Sequence, residues 1–416
     1  MLDIKFIRDH SDIVKQAVKQ KFLTVNIDEL LRLDSDRLKL LAETEQSRAQ
    51  QNEANQKFGS ALPETDRRQL LTEMGNLKTQ LAVKEEHLKK IMMAWRQLML
   101  EVPNIPDVSV PTGKTDNDNQ EIKQWGTKPQ FDFNPKNHIE LMTTASWANL
   151  ERGTKVAGFR GYFLSGPGAT LAMSIWQLAW QTLITEGFTP MLVPSLLKRE
   201  MFLGTGYLPQ GSDDLYRTQD DSYLAGTAEV AAMGYWSDEI MPIEELPKKM
   251  VCFSPCFRRE AGSHGQDTRG LIRVHEFFKV EQVILCTARH EESVKWHEEL
   301  LRLSEKILQL LELPYRVVIN ASGDLGLGQV KKYDLEVWMP SENRYREVNS
   351  ISYFHDFQSR RLNIRYRDSD GKLQFVHSLN ATAAATPRLL AAIVENYQTS
   401  DGQIKIPDVL QSYIRK

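Results

Sequence analysis

The sequence is poor in cysteine and lacks any long apolar run. Its three cysteines, Cys252, Cys256 and Cys286, form no C-x-x-C pair, and no further ligands at zinc spacing accompany them. A structural zinc site needs four such ligands, so we expect buried thiols instead. No stretch of about 18 apolar residues occurs, which argues against a membrane-spanning helix.

An excess of charge of one sign is also missing. The chain has 52 Lys and Arg against 55 Asp and Glu, a net charge of −3 over 416 residues. No global basic field therefore attracts nucleic acid, and any affinity for RNA must come from local patches. The amino terminus is charged throughout, without an apolar segment of signal-peptide length, which predicts a cytoplasmic protein. The length suffices for two or three domains.

Between residues 26 and 100 proline occurs once, at Pro63, and the pattern is helical. Asn26 can cap the first helix. In the second half, apolar residues recur every seven positions, with Lys84 as the polar break, in two series: Met74, Leu81, Leu88 and Trp95; and Leu70, Leu77, Ile91 and Leu98. Such series predict an antiparallel two-helix coiled coil over about 27–100 that turns at Gly59, Ser60 and Pro63. A dimerisation rod or spacer is the alternative use of such a hairpin.

A segment rich in Pro, Gly, Asp and Asn follows, at residues 102–135, and reads as a linker because these residues favour turns. It divides the chain into an amino-terminal domain, 1–101, and a larger domain, 136–416. The larger domain begins with an amphipathic helix, Leu171 to Glu186.

The most informative stretch is FSPCFRREAGSHGQDTRGLIRVHEFFKVE, residues 253–281. Two apolar-aromatic runs flank a Gly-rich middle, which predicts two strands joined by a loop. Arg258 and Glu260 are two residues apart, and so are Phe277, Lys279 and Glu281, so each set shares a strand face. A guanidinium can hold a phosphate, an aromatic ring can stack on a base, and carboxylates accept from amino groups. An ordinary charged sheet face is the plainer alternative.

The whole string closely resembles motif 2 of class II aminoacyl-tRNA synthetases, in the form found in seryl-tRNA synthetases. Residues 171–195 resemble motif 1, the dimer element of these enzymes, and residues 378–398 resemble motif 3. The resemblance implies an α+β fold, with an antiparallel β-sheet flanked by helices and an N-terminal coiled-coil arm. It also implies an enzyme that activates serine with ATP and Mg²⁺ and charges tRNA(Ser) as a homodimer. Whether tRNA(Sec) is a further substrate stays open.

Roles for individual residues follow from the same resemblance. The serine-binding residues it implies are Thr227, Ala228, Glu229, Arg258, Glu281 and Thr382. The ATP-binding residues it implies are Arg258, Arg259, Glu260, Val274, Phe277, Glu347, Val348, Asn349, Ser350 and Arg388. Glu347 and Ser350 match positions that hold Mg²⁺, which prefers hard oxygen ligands. The loop residues His264, Arg269 and Arg273 match the segment that meets the tRNA acceptor end.

Several alternatives remain at this stage. The run ATAAAT at 381–386 could be a tightly packed helix against a sheet, and NSISY at 349–353 departs from the small Ser-Ser-Cys-Ser run common in bacterial members. A paralogue that binds RNA without charging it would have lost Arg258, Glu281 or Arg388, and all three are present. A ligase that loads amino acids onto a carrier protein would lack the long arm.

Overall fold

The computed structural model describes residues 1–59, 63–262, 267 and 270–414. The chain forms two compact units. The first comprises residues 3–19 and 23–102, and the second comprises residues 1–2, 20–22 and the chain from Pro103 onward. Within the described residues, no helix is long and apolar enough to cross a membrane.

The first unit is helical. Its helices are α1 (Ile4–Asp9), α2 (Ser11–Gln20), α3 (Ile27–Phe58) and α4 (Glu64–Glu101). The Asn26 side chain accepts a hydrogen bond from the Glu29 backbone N–H at 3.0 Å and caps α3, as predicted. Of the predicted turn residues, Gly59 ends α3 and Pro63 precedes α4; Ser60 lies outside the described residues.

Helices α3 and α4 pack antiparallel, which confirms the predicted coiled coil. Leu81 and Leu88 are buried, and the other members of the two seven-residue series are half-buried. The polar break, Lys84, donates from Nζ to Ser47 Oγ across the two helices at 3.0 Å. Arg48 and Glu85 form an ion pair between the helices next to it, at 2.8 Å. The seven-residue period therefore correctly located the contact between the helices.

The second unit is built on an eight-stranded sheet in the order β1-β11-β12-β13-β16-β10-β9-β4. Every pairing in it is antiparallel except that of β4 with β9. The strands are β1 (Gln120–Trp125), β2 (Ala148–Asn149), β3 (Phe163–Leu164), β4 (Thr189–Leu192), β5 (Leu196–Lys198), β6 (Tyr216–Arg217), β7 (Ser222–Leu224), β8 (Ile240–Pro242), β9 (Lys248–Phe257), β10 (Glu276–Cys286), β11 (Tyr315–Ile319), β12 (Lys331–Met339), β13 (Arg344–Tyr353), β14 (Arg365–Arg367), β15 (Leu373–Phe375) and β16 (His377–Thr386).

Helices cover this sheet and complete the α+β fold that was expected. They are α5 (His138–Thr144), α6 (Leu150–Ala157), α7 (Pro167–Thr185), α8 (Arg199–Thr205), α9 (Glu229–Tyr235), α10 (His290–Leu310), α11 (Phe357–Leu362), α12 (Arg388–Asn396) and α13 (Asp408–Ile414). Short 3₁₀ turns lie at Asp116–Asp118, Ser212–Asp214, Ile243–Glu245 and Ser322–Asp324. The predicted helix from Leu171 to Glu186 is α7, and β4 follows it.

The main hydrophobic core lies between one face of the sheet and helices α7, α10 and α12. Residues of β10 alternate between this core and the opposite face. Val280 belongs to the core, and Gln282 donates to Ser304 of α10 at 2.9 Å. Cys252, Cys256 and Cys286 are free and buried, as expected for structural thiols.

The run at 381–386 is not a helix, which corrects the alternative considered above. It lies in β16, which is hydrogen-bonded to β13 on one side and to β10 on the other. Ala381, Ala383 and Ala384 are buried in the main core, and small side chains fit where the backbone is closely packed. The strand pairing on both sides outweighs the helix preference of alanine.

Candidate active site

Two adjoining cavities open on the sheet face opposite the main core, and Arg258, Lys279 and Ser350 line both of them. We call the larger one, about 280 Å³, the Glu281 cavity. We call the smaller one, about 90 Å³, the Arg388 cavity. Arg258 directly follows β9, Lys279 lies on β10 and Ser350 lies on β13, which is separated from β10 by β16.

The Glu281 cavity contains a buried ion pair. Lys279 Nζ lies 2.5 Å from Glu281 Oε2 and donates to Thr227 Oγ1 at 2.9 Å. The exposed fractions of Lys279 and Glu281 are only 5% and 2%. Their side chains project on the same face of β10 because the residues are two apart, although a bulge follows Val280. The cavity therefore presents a fixed cation beside a fixed anion.

A second carboxylate, Glu229, lines the same cavity at the start of α9. Tyr207 donates its hydroxyl to Glu229 Oε2 at 2.8 Å, and Gln358 Nε2 donates to Glu229 Oε1 at 2.6 Å. Burial raises the pKa of Glu229, and the nearby charge of Glu281 raises it further. The two carboxylates of this cavity thus lie in different electrostatic surroundings.

Arg258 lies between the two cavities. Its Nε and Nη2 atoms donate to the carbonyl of Gly226, both at 3.3 Å. A Cβ at Gly226 would lie 3.3 Å from Arg258 Cγ, so glycine lets the arginine pack closely against this loop. The guanidinium carbon lies 5.3 Å from the centre of the Phe277 ring. The pKa of Arg258 is raised despite burial, because Tyr207 and other acidic groups surround it, so the side chain stays charged.

Three arginines, Arg258, Arg273 and Arg388, line the Arg388 cavity. Arg388 Nε donates to the Ile272 carbonyl at 2.9 Å, and its Nη1 donates to Glu347 Oε2 at 3.2 Å. Val274, Phe277, Val348 and Thr382 also line this cavity. Guanidiniums beside an apolar wall suit an elongated phosphate ester with a flat ring.

Glu347 and Ser350 are the predicted metal ligands, and both line the Arg388 cavity. Partial desolvation raises the pKa of Glu347, whose side chain is 45% exposed, but the cations Arg388, Lys332 and Arg258 outweigh it and hold this pKa below its usual value. Glu347 is therefore a carboxylate at neutral pH. A carboxylate and a hydroxyl are hard oxygen donors, which fit Mg²⁺ bound together with phosphate oxygens.

Not every predicted residue lies at the cavities. Arg259 is exposed, and its backbone N–H donates to the Asp214 carbonyl. Asn349 is buried and donates from Nδ2 to the carbonyls of Thr382 and Ala383, at 2.6 and 2.9 Å, so it holds β13 against β16. Ala228 is buried beside Glu229 without lining the described cavities.

Two predicted loop residues, His264 and Arg269, lie outside the described residues. Arg273 is described and forms an ion pair with Glu260. Both residues of this pair line the Arg388 cavity. Val274 and Phe277 line the same cavity.

Sequence reasoning overlooked three residues. Lys279 was placed on the correct strand face, but no role was assigned to it. The spacing of charged residues two apart on β10 could have suggested its pairing with Glu281. Tyr207 and Gln358 were missed because they lie on separate segments, 22 and 129 residues from their partner Glu229. No local periodicity signals such contacts.

Comparison with known families agrees with this architecture. A model of the class II tRNA synthetase core domain (G, H, P, S and T) matches residues 213–397. A model of the seryl-tRNA synthetase N-terminal domain matches residues 1–106. These two matches include the helical hairpin and most of the residues that line the two cavities.

Similar full-length proteins point the same way. The serine–tRNA ligase of Deinococcus radiodurans is 43% identical over 100% of this chain and 97% of its own length. That of Thermobifida fusca is 41% identical, with the same coverage. The crystal structure of seryl-tRNA synthetase from Pyrococcus horikoshii complexed with ATP aligns with a TM-score of 0.89 and 36% identity, over 100% of this chain and 98% of that chain.

Proposed function

The chain belongs to the seryl-tRNA synthetase family, and we propose that its two adjoining cavities bind serine and ATP for the reaction of a serine–tRNA ligase. The family carries a class II catalytic core, and the chain is an aminoacyl-tRNA ligase with ATP as a substrate. The observation that carries the assignment of the cavities is that Arg258 and Ser350 line both of them. A carboxylate in one cavity and an α-phosphate in the other would meet at this boundary.

We assign serine to the Glu281 cavity. A serine zwitterion needs an anion for its ammonium group and a cation for its carboxylate, and Glu281 and Arg258 supply them. Glu229 accepts a hydrogen bond from the serine hydroxyl, with Thr227 and Thr382 as further polar neighbours. Alanine lacks the hydroxyl and would leave the remaining acceptor site of the buried Glu229 without a donor, which favours serine over alanine.

We assign ATP to the Arg388 cavity. Phe277 and Val274 contact the adenine ring, Glu260 accepts from the adenine amino group, and Arg388 binds the γ-phosphate. We also propose Arg259, Val348 and Asn349 as ATP-binding residues, because they match the family pattern. Asn349 would act indirectly, since its side chain donates to the Thr382 carbonyl and supports β16. Glu347 and Ser350 would hold Mg²⁺, which neutralises phosphate charge when bound.

The reaction then proceeds in two displacements. The serine carboxylate oxygen attacks the α-phosphorus, the bond to the β-phosphate oxygen breaks, and pyrophosphate leaves. The terminal ribose hydroxyl of the tRNA next attacks the serine carbonyl carbon, and AMP leaves. No side-chain nucleophile is needed, so Arg258 acts by position and by stabilising the negative charge of the first transition state.

The arm formed by α3 and α4 is the proposed contact for tRNA(Ser). We include tRNA(Sec) as a second RNA to be assayed, and we propose the cytoplasm as the compartment. The support for the arm's role is the family match of residues 1–106 together with the long helical hairpin.

We also propose a homodimer formed through the face of α7. Met173 and Leu192 are 56% and 79% exposed, and they border a groove lined by Trp176, Phe253 and Phe278. A contiguous exposed apolar surface of this kind is typical of an interface. The charge-introducing variant M173E/L192E should sediment as a monomer at concentrations where the unaltered chain is a dimer; equal sedimentation would refute the proposal.

Serine-dependent exchange of pyrophosphate into ATP tests the proposed cavities, with alanine and threonine as comparators. Charging of tRNA(Ser) and tRNA(Sec), with and without residues 27–100, tests the arm. We expect serine to support pyrophosphate exchange. Deletion of the arm should abolish charging of the tRNA and leave this exchange intact. No exchange with serine would favour an RNA-binding protein, and exchange without charging of any tRNA would favour a carrier-protein ligase.

A further inference from the structure

The carboxylate of Glu229 is held on both of its oxygens. The Tyr207 hydroxyl donates to Oε2 at 2.8 Å, and Gln358 Nε2 donates to Oε1 at 2.6 Å. Glu229 and Gln358 are 3% and 1% exposed, so water does not compete strongly for these bonds. Each carboxylate oxygen has two lone pairs, so each keeps one acceptor site for another donor.

The amide of Gln358 is itself held in one orientation. Its Oε1 accepts a hydrogen bond from Ser378 Oγ at 2.7 Å, and its Nε2 also donates to the Thr205 carbonyl at 3.2 Å. A flipped amide would turn its oxygen toward the Thr205 carbonyl and the Glu229 carboxylate, which accept but do not donate. Contacts from α8, β16 and α9 therefore orient the Gln358 amide toward Glu229.

We infer that Gln358, which lies behind Glu229 and outside the described cavity lining, is a positioning residue that determines the preference for serine over alanine. This inference rests on the proposed function, in which Glu229 accepts from the serine hydroxyl. Hydrogen bonds weaken steeply when their angle departs from linearity, so the orientation of the acceptor decides how much the hydroxyl contributes. Gln358 fixes that orientation without touching the substrate.

The variant Q358M tests the inference, because methionine has a similar length and no N–H donor. We expect kcat/KM for serine in pyrophosphate exchange to fall by about ten- to a hundredfold, as for a lost hydrogen bond to a charged group. The inhibition constant of alanine, measured against serine, should stay unchanged, as should KM for ATP. Variant S378A keeps the amide but removes the hydroxyl that orients it, and it should shift the serine preference in the same direction by a smaller factor.

Gln282 offers a matched control. It is as fully buried as Gln358, and its amide donates to Ser304 of α10 on the side of the sheet away from the cavities. Q282M therefore makes the same chemical change in the same unit, and it should leave the ratio of serine to alanine affinity unchanged. A loss of serine preference in Q282M equal to that in Q358M would attribute the effect to general loosening and overturn the inference.

A double-variant cycle separates action through Glu229 from direct effects. If Gln358 acts through Glu229, then adding Q358M to E229Q should change the serine preference little, because the carboxylate to be positioned is already gone. Additive losses, or equal losses for serine and alanine in Q358M, would refute the inference while serine exchange by the unaltered chain still supported the proposed function. Absence of that exchange would refute both.

Discussion

The buried pair of Lys279 and Glu281 gives the most quantitative prediction. Replacing Lys279 by methionine removes the ammonium group 2.5 Å from Glu281 Oε2 and leaves a carboxylate that is only 2% exposed. Breaking a buried ion pair in this way costs about 3–5 kcal/mol, because one charge stays buried without compensation. Thr227 also loses its donor at 2.9 Å, which adds to the cost.

Thermal unfolding followed by circular dichroism measures this loss. For a unit of roughly 300 residues, a cost of about 3–5 kcal/mol lowers the melting temperature by about 5–8 °C. K279M/E281M removes both charges and keeps apolar volume, so it should recover most of the lost stability. Serine exchange should be absent from the double variant, since Glu281 is gone.

Two results would refute this reasoning. K279M as stable as the unaltered chain would mean that solvent compensates the Glu281 charge. A double variant less stable than K279M would mean that packing, and not an unpaired charge, causes the loss. E281Q is the matched companion, because it neutralises the anion and tests whether the Lys279 ammonium is equally costly to leave unpaired.

Three further predictions concern separate parts of the chain. Burial lowers the pKa of His297 from 6.5 to about 3. The unfolded chain takes up this proton below pH 6.5 and the folded chain does not, so stability is lost as pH falls, by about 3 kcal/mol at pH 4.5. H297N should reduce that acid-induced loss in melting experiments. K84L should stabilise the arm by about 1 kcal/mol, because the apolar contact between α3 and α4 becomes continuous. Ser47 loses the Lys84 donor but keeps its bond to the Glu43 carbonyl. Faster amide hydrogen exchange in α3 would contradict this prediction. R388K should raise KM for ATP by about tenfold and leave KM for serine unchanged, because lysine cannot reproduce the paired N–H donors of the guanidinium. Equal effects on both constants would count against the assignment of ATP to the Arg388 cavity.

Local periodicity predicted much of the fold. The seven-residue series located the α3–α4 contact, and Asn26 marked where α3 begins. The helical alternative for residues 381–386 is wrong for a physical reason. Alanine-rich runs favour helix when local preference decides, but here hydrogen bonds to β10 and β13 decide, and no neighbouring residue in the sequence announces them.

The candidate site was predictable only where its residues share an element. Phe277, Lys279 and Glu281 alternate along β10, so their common face followed from a two-residue period. Glu229 and Gln358 meet only because α9 and α11 pack near each other on the same part of the sheet. Resemblance to a family supplied Glu229, and only the folded structure supplied Gln358.

The surroundings of the two carboxylates indicate different roles for them. Glu281 pairs with the ammonium group of Lys279, so a second ammonium group can exchange contacts with the first one at this carboxylate. Glu229 receives hydrogen bonds from the neutral donors Tyr207 and Gln358, and burial raises its pKa. Burial and the nearby Glu281 disfavour charge at this carboxyl, so its surroundings suit the neutral serine hydroxyl. We therefore propose that the serine ammonium group binds Glu281 and that the serine hydroxyl binds Glu229.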